Sequence, residues 1–195
     1  MTCIEMVKDF CKLNGAVIDG VDNGPEVAVL RIRLMLEELA ETVAALHENN
    51  VVEAADGLCD LLYVIYGAAV SYGIPLEDGF LEPLCKPVAE FDRWSVLAFT
   101  YTSSPQLHAV CTELPYDANG YIALEALARL VRTVCEAGAG WGFPMRELFA
   151  EVHRSNLTKT FAKNTTGGKY GAVKPKGPGY TPPDISGILE ACIRA

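Results

Sequence analysis

Seven carboxylates, Glu37, Glu38, Glu41, Glu48, Glu53, Asp56 and Asp60, fall within residues 34–67, and no Lys or Arg falls among them. Side chains three and four residues apart on a helix are neighbours. Glu38 and Glu41 therefore share a face with Glu37 beside them, and Glu53, Asp56 and Asp60 form a second stripe. Packed as a hairpin, the two stripes face one groove. Like charges at this spacing repel by about 0.2–0.5 kcal/mol per pair on an exposed helix, and by more when partly buried, so something must offset them. Three chemistries compete. A solvated acidic face is one, although surface helices ordinarily intersperse both signs. A di-iron carboxylate bundle is the second, but the Glu-x-x-His pairs it uses occur nowhere in the sequence. A hard-cation site is the third: Mg²⁺ takes a few carboxylate oxygens, keeps several waters and completes its shell with substrate phosphate.

The third reading also gives a purpose to the opposite end of the chain. From Arg154 to Lys176 lie Arg154, Lys159, Lys163, Lys169, Lys174 and Lys176 with no acid among them. An acidic centre and a basic arm together suit a phosphorylated, metal-bound ligand.

The elements that must carry these residues are helices. Apolar residues at Ile4, Val7, Phe10 and Cys11 predict a short helix ending at Asn14-Gly15. Asn23-Gly24-Pro25 reads as a helix entry, and Ile32, Met35, Leu39, Val43 and Leu46 keep the 3.6-residue period to Asn49-Asn50. The period resumes over 51–72 and ends at Gly73-Ile74-Pro75, so the short connection forces an antiparallel hairpin. Over 77–120, prolines at 83, 87, 105 and 115 break the signal and "SVLAFTYTS" has strand character. Residues 121–137 and 145 to about 154 read as helices; beyond Asn156 an irregular Gly, Pro, Lys and Thr-rich arm precedes a short helix capped by Asp184. The fold class is all-α.

A repeat underlies the pattern. "AADGLCDLLYVIYGAAVSYGIPLEDGF" and "ALEALARLVRTVCEAGAGWGFPMRELF" align without gaps at an offset of 69 residues, Tyr72-Gly73-Ile74-Pro75 on Trp141-Gly142-Phe143-Pro144. The apolar positions persist and the charges do not: Glu53, Asp56 and Asp60 fall on Ile122, Glu125 and Arg129, and Glu37, Glu38 and Glu41 on Gln106, Leu107 and Val110. The expected architecture is an antiparallel bundle of two related helical hairpins, the metal-binding half over residues 1–80, a degenerate half over 81–155, and the arm with its short helix over 156–195.

Composition narrows the class further. The 195 residues are 50% hydrophobic with a net charge of −9, which suits a compact domain and argues against nucleic-acid binding. The apolar run 58–72 is broken by Asp60 and is short for a bilayer, and no signal-peptide pattern opens the chain, so a cytoplasmic protein without a membrane partner is expected. Seven scattered cysteines with no C-x-x-C suggest buried thiols.

"EELAE" followed by "EAAD" has the form E-E-x-x-E, spacer, E-x-x-D, and resembles the all-α nucleoside triphosphate pyrophosphohydrolases, the MazG-like group. "RIRLMLEELAE", "DLLYVIYGAAVSYGIPL", "EVHRSNLTK" and "KPKGPGYTPPDI" are similar to successive blocks of a MazG-like subgroup, over residues 26–76 and 148–189; the stretch 77–147 departs from it. The resemblance implies that Glu38, Glu41, Glu53 and Asp56 hold Mg²⁺, or Mn²⁺ in its place, with Glu37 as a further ligand or as the base that orients water beside Glu38. Asp60 is implied as an outer or substrate-side group. Arg154, Lys159, Lys174 and Lys176 would contact phosphate, while Asn156 and Tyr180 would meet the base or hold the arm. The implied reaction is cleavage of a nucleoside triphosphate between the α and β phosphates, by a homodimer or an intrachain pseudo-dimer. A phosphoribosyl-ATP pyrophosphohydrolase and a catalytically inactive nucleotide- or protein-binding module are the alternatives.

Overall fold

The computed structural model describes residues 1–16, 18–20, 24–115, 121–159 and 177–194. Among them are seven helices and no strands: α1 (Cys3–Leu13), α2 (Pro25–His47), α3 (Val51–Tyr72), α4 (Arg93–Glu113), α5 (Tyr121–Gly140), α6 (Met145–Leu157) and α7 (Ile185–Arg194). The helix signals act as read. Thr2 and Glu5 form a reciprocal cap on α1, Pro25 opens α2, and the Asn50 side chain accepts from the Glu53 N–H to start α3. Asp184 accepts from the Gly187 N–H at 3.0 Å at the start of α7.

Helix α3 is the axis of the molecule and packs against every other helix except α4. By length and composition it could cross a bilayer, but 78% of its most apolar window is buried inside the fold, where Leu58, Leu61, Leu62, Ile65 and Tyr66 are fully enclosed. Helices α2 and α3 form one hairpin, α4 and α5 the other, and α3–α5 and α2–α4 contacts join them into a bundle. Helices α1, α6 and α7 cover the remaining faces of α3.

The repeat of the sequence is visible in the backbone. Shifted by 69 residues, α2 and α3 fall almost end for end on α4 and α5. Gly73 and Gly142 close α3 and α5 with left-handed φ of 65° and 76°. At the first, the Ile74 N–H donates to the Ala69 carbonyl at 2.9 Å, and at the second the Phe143 N–H donates to the Gly138 carbonyl at 2.8 Å. The same cap thus ends both helices, because only glycine adopts that φ without a Cβ penalty.

The strand character read into "SVLAFTYTS" is corrected: these residues lie within α4. Its hydroxyls are satisfied inside the helix, with Thr100 Oγ1 donating to the Val96 carbonyl, Ser103 Oγ to Phe99 and Ser104 Oγ to Thr100, at 2.7–2.9 Å. Packing of Phe99, Leu107 and Val110 against the bundle overrides the low helix preference of a Ser/Thr-rich segment containing Pro105.

Helices α2 and α3 meet tightly at Gly57, next to Asp56. A Cβ there would stand 2.7 Å from Thr42 Oγ1 and 3.2 Å from Thr42 Cα. Thr42 is itself fully buried and its hydroxyl donates to the Glu38 carbonyl at 2.7 Å, so it cannot give way without losing that bond. A mid-helix glycine ordinarily costs about 1 kcal/mol relative to alanine. Gly57→Ala is nonetheless expected to destabilise the protein by about 1–3 kcal/mol, the typical cost of overpacking. Denaturant unfolding checks this, and a stability gain would mean that the contact is slack.

Candidate functional site

The short turn at Asn49 and Asn50 folds α3 back along α2, and the contact at Gly57 sets the two acidic stripes facing each other. Between them lies a cavity of about 270 Å³ lined by Glu38, Glu41, Glu48, Glu53, Asp56 and Asp60, with Ala44, Ala45 and Gly57 as its floor. Among the described residues no cationic side chain lines it, so six carboxylates converge there without a positive charge from those residues. A larger cavity of about 740 Å³ between loop 75–81 and α5 mixes Arg132 with acids and apolar side chains, and lacks this concentration of one chemistry.

The electrostatic cost is concentrated on Glu38. Burial, together with the charges of Asp60, Glu41 and Asp56, pushes its carboxyl up to about 8. Lys159, two residues past α6, is near enough for its ammonium to oppose that rise. The Lys159 Nζ also stands 5.9 Å from the centre of the Tyr180 ring, so this ammonium rests against an aromatic residue of the C-terminal segment.

Helix α6 packs on α3. Tyr63, one turn beyond Asp60, packs between Phe10 and Phe149, and its hydroxyl lies 3.0 Å from His153 Nδ1. Asn156 is buried, with its side chain against the same hydroxyl. Burial lowers the His153 pKa, so the ring is neutral at pH 7 and serves Tyr63 as a hydrogen-bond partner.

The expected site residues separate into three sets. Glu38, Glu41, Glu53, Asp56 and Asp60 are brought together; Lys159 acts on Glu38, Tyr180 lies against Lys159, and Asn156 lies against Tyr63. Glu37 and Arg154 are not brought to the cavity. Glu37 turns outward to Arg33 at 3.3 Å, because one residue of helix rotation carries it about 100° from Glu38. The Arg154 guanidinium is taken by Glu151 at 2.7 Å, by Thr181 Oγ1 at 2.9 Å and by the Pro182 carbonyl at 3.0 Å. It straps the arm to α6, alongside the Ser155 Oγ bond to the Thr181 carbonyl at 2.9 Å. Lys174 and Lys176 lie outside the described residues. The structure adds Glu48, which sequence reasoning left out of the set; its spacing of two helical turns from Glu41 was the available signal.

The donor set fits a hard cation. All six groups are carboxylates, and Glu38 carries the strain of having no counter-charge in the cavity. Among the described residues no three His, Cys, Asp or Glu side chains stand together as a metal-holding group. A consequence follows for stability. The folded-state pKa of Glu38 lies above its ordinary value, so the metal-free protein loses stability as pH rises from about 4.5 to about 8. Glu38→Gln removes this. At pH 8 in EDTA the variant is expected to melt about 2–4 °C higher, the shift given by roughly 1 kcal/mol in a chain of this length. Mg²⁺ should raise the Tm of the natural chain more than that of the variant. Thermal unfolding with and without Mg²⁺ decides it, and a lower Tm for the variant in EDTA would remove the charge-strain account.

Comparison with known proteins agrees with the geometry. Residues 21–82, which hold α2, α3 and every acid of the cavity, match the family model described as phosphoribosyl-ATP pyrophosphohydrolase. An uncharacterised protein, L479 of Acanthamoeba polyphaga mimivirus, is 34% identical over 152 residues, covering 71% of this chain. The chain spans 61% of the length of that relative. No solved structure matches. Over its acidic hairpin, residues 21–82, the chain is thus similar to the phosphoribosyl-ATP pyrophosphohydrolases.

Proposed function

We propose that the protein is a Mg²⁺-dependent nucleotide pyrophosphohydrolase that cleaves a nucleoside triphosphate between the α and β phosphates, yielding a nucleoside monophosphate and pyrophosphate. The observation that carries this reading is the convergence of six carboxylates on one cavity that no cation among the described residues lines. Such a cavity repels a bare triphosphate and accepts one that arrives with divalent ions. Glu38, Glu41, Glu53 and Asp56 would hold the ion, with Glu48 and Asp60 at its margins. When bound, Mg²⁺ polarises the phosphoryl oxygens and neutralises charge on the departing pyrophosphate.

The remaining chemistry belongs to the chain's own groups. Glu38, whose carboxyl is pushed up by burial and by its acidic neighbours, orients the attacking water and accepts its proton, a part for which it stands better than Glu37, which is paired with Arg33. The water oxygen bonds to phosphorus in line with the α–β bridge, the bridging P–O bond breaks, and pyrophosphate leaves. Lys159 is placed to exchange its position over Tyr180 for a phosphate oxygen. Asn156 offers an amide toward the nucleoside side, its position fixed by Tyr63 and His153. Arg154 ties the segment at Thr181 and Pro182 to α6.

The second reading is a phosphoribosyl-ATP pyrophosphohydrolase, favoured by the description of the matched family model. It uses the same bond cleavage and differs in the group carried by the triphosphate.

Pyrophosphate release from a panel of ribo- and deoxyribonucleoside triphosphates and phosphoribosyl-ATP tests both. Release is expected with Mg²⁺ and none with EDTA. Glu53→Gln should lower kcat by at least about 100-fold, the scale of losing one preorganised charge contact, and Lys159→Met should act mainly on KM. A folded protein that releases no pyrophosphate from any of these compounds would leave a binding module as the function.

A further inference from the structure

The second hairpin repeats the backbone of the first but not its electrostatics. At the positions of Glu38 and Glu41 it has Leu107 and Val110, both buried among the core side chains of the bundle. At the positions of Asp56 and Asp60 it has Glu125 and Arg129. Where the first pair repels, the second attracts: Arg129 Nη1 donates to Glu125 Oε1 at 2.7 Å. Gln106 of α4 completes the arrangement, its Oε1 accepting from Arg129 Nε at 3.2 Å. The guanidinium thereby ties α4 to α5 across the groove that corresponds to the acidic cavity, the same two sides that a cation would tie in the first hairpin.

We infer that the second hairpin is a converted copy of the first, in which Arg129 with Leu107 and Val110 takes the place of a metal ion, so that the chain keeps a single metal site. This rests on reading the first hairpin as the holder of that metal. The physical advantage is direct. An acidic groove without a cation costs the fold stability, whereas a groove closed by apolar side chains and spanned by its own guanidinium carries no such cost. Helix α3, which carries half of the acidic cavity, packs against α5. The metal-binding hairpin therefore leans on a partner whose order does not depend on metal.

Depletion of the free Mn²⁺ electron paramagnetic resonance signal, on the full chain, tests the inference. The natural chain should deplete the signal, and the Glu53→Gln, Asp56→Asn variant should bind at least tenfold more weakly. Adding Ile122→Glu and Arg129→Asp to that variant rebuilds the acidic stripe on α5 at two side chains that are about half exposed, 52% for Ile122 and 46% for Arg129, so the fold should tolerate them. Binding should return at least tenfold. Amide exchange reads the location: Mn²⁺ should slow exchange in α2 and α3 of the natural chain, leave α4 and α5 unchanged, and slow α5 only in the rebuilt variant. Undiminished Mn²⁺ binding after the first pair of substitutions, protection of α5 in the natural chain, or no recovery in the folded rebuilt variant would each overturn the inference. If the natural chain binds no Mn²⁺ but the rebuilt variant does, the metal reading of the first hairpin fails while the role of Arg129 stands.

Discussion

The approach of α2 to α3 at Thr42 and Gly57 is the constraint from which the rest follows. Glycine there lets the two helix backbones meet, and the Thr42 hydroxyl, bonded to the Glu38 carbonyl, fixes the register of the contact. Glu38 lies one turn from Thr42 on α2, and Asp56 lies beside Gly57 on α3. The contact that holds the hairpin together is thus the one that forces its carboxylates into one cavity. Any looser crossing would relieve the repulsion by letting water between the helices, and would also dissolve the site.

The repulsion is supported by apolar packing elsewhere along α3. Leu58, Leu61, Leu62, Ile65 and Tyr66 are enclosed by the surrounding helices, each large side chain contributing about 1.5–3 kcal/mol by leaving water. Against this the mutual repulsion of a few carboxylates is affordable, and it is reversed when a cation enters. Core stability and site charge are therefore properties of the same helix, separated only by face: Leu61 and Leu62 point into the bundle while Asp56 and Asp60 line the cavity.

The C-terminal side shows the same economy of contacts. Residues Thr158 and Lys159 follow α6, and Thr181 returns to them through its N–H bond to Thr158 Oγ1 at 2.9 Å. Arg154 and Ser155 hold the same returning segment. Tyr180 is thereby set against Lys159, whose charge reaches Glu38. The two hairpins divide the remaining work: one bears unneutralised charge, the other has neutralised the corresponding groove with Arg129 and serves as a scaffold.

The helices of the first hairpin, their caps and the two acidic stripes were legible in the sequence, because each rests on local chemistry: the 3.6-residue period, Asn50 at an N-terminus, Gly73 and Gly142 at left-handed ends. The 69-residue repeat was legible for the same reason. Helix α4 was not, since its Ser and Thr hydroxyls and Pro105 oppose helix locally and only burial of Phe99, Leu107 and Val110 decides the matter. Nor could spacing alone choose Glu48 over Glu37, or separate Lys159 from Arg154. Those choices depend on how far α2 is rotated against α3 and on whether Glu151 reaches Arg154 first. The sequence by itself determined which residue types could bind a cation and on which helices they ride. Only the tertiary structure decided which of them face the cavity, because that depends on helix rotation and on competition among nearby charges, neither of which is a local property of the chain.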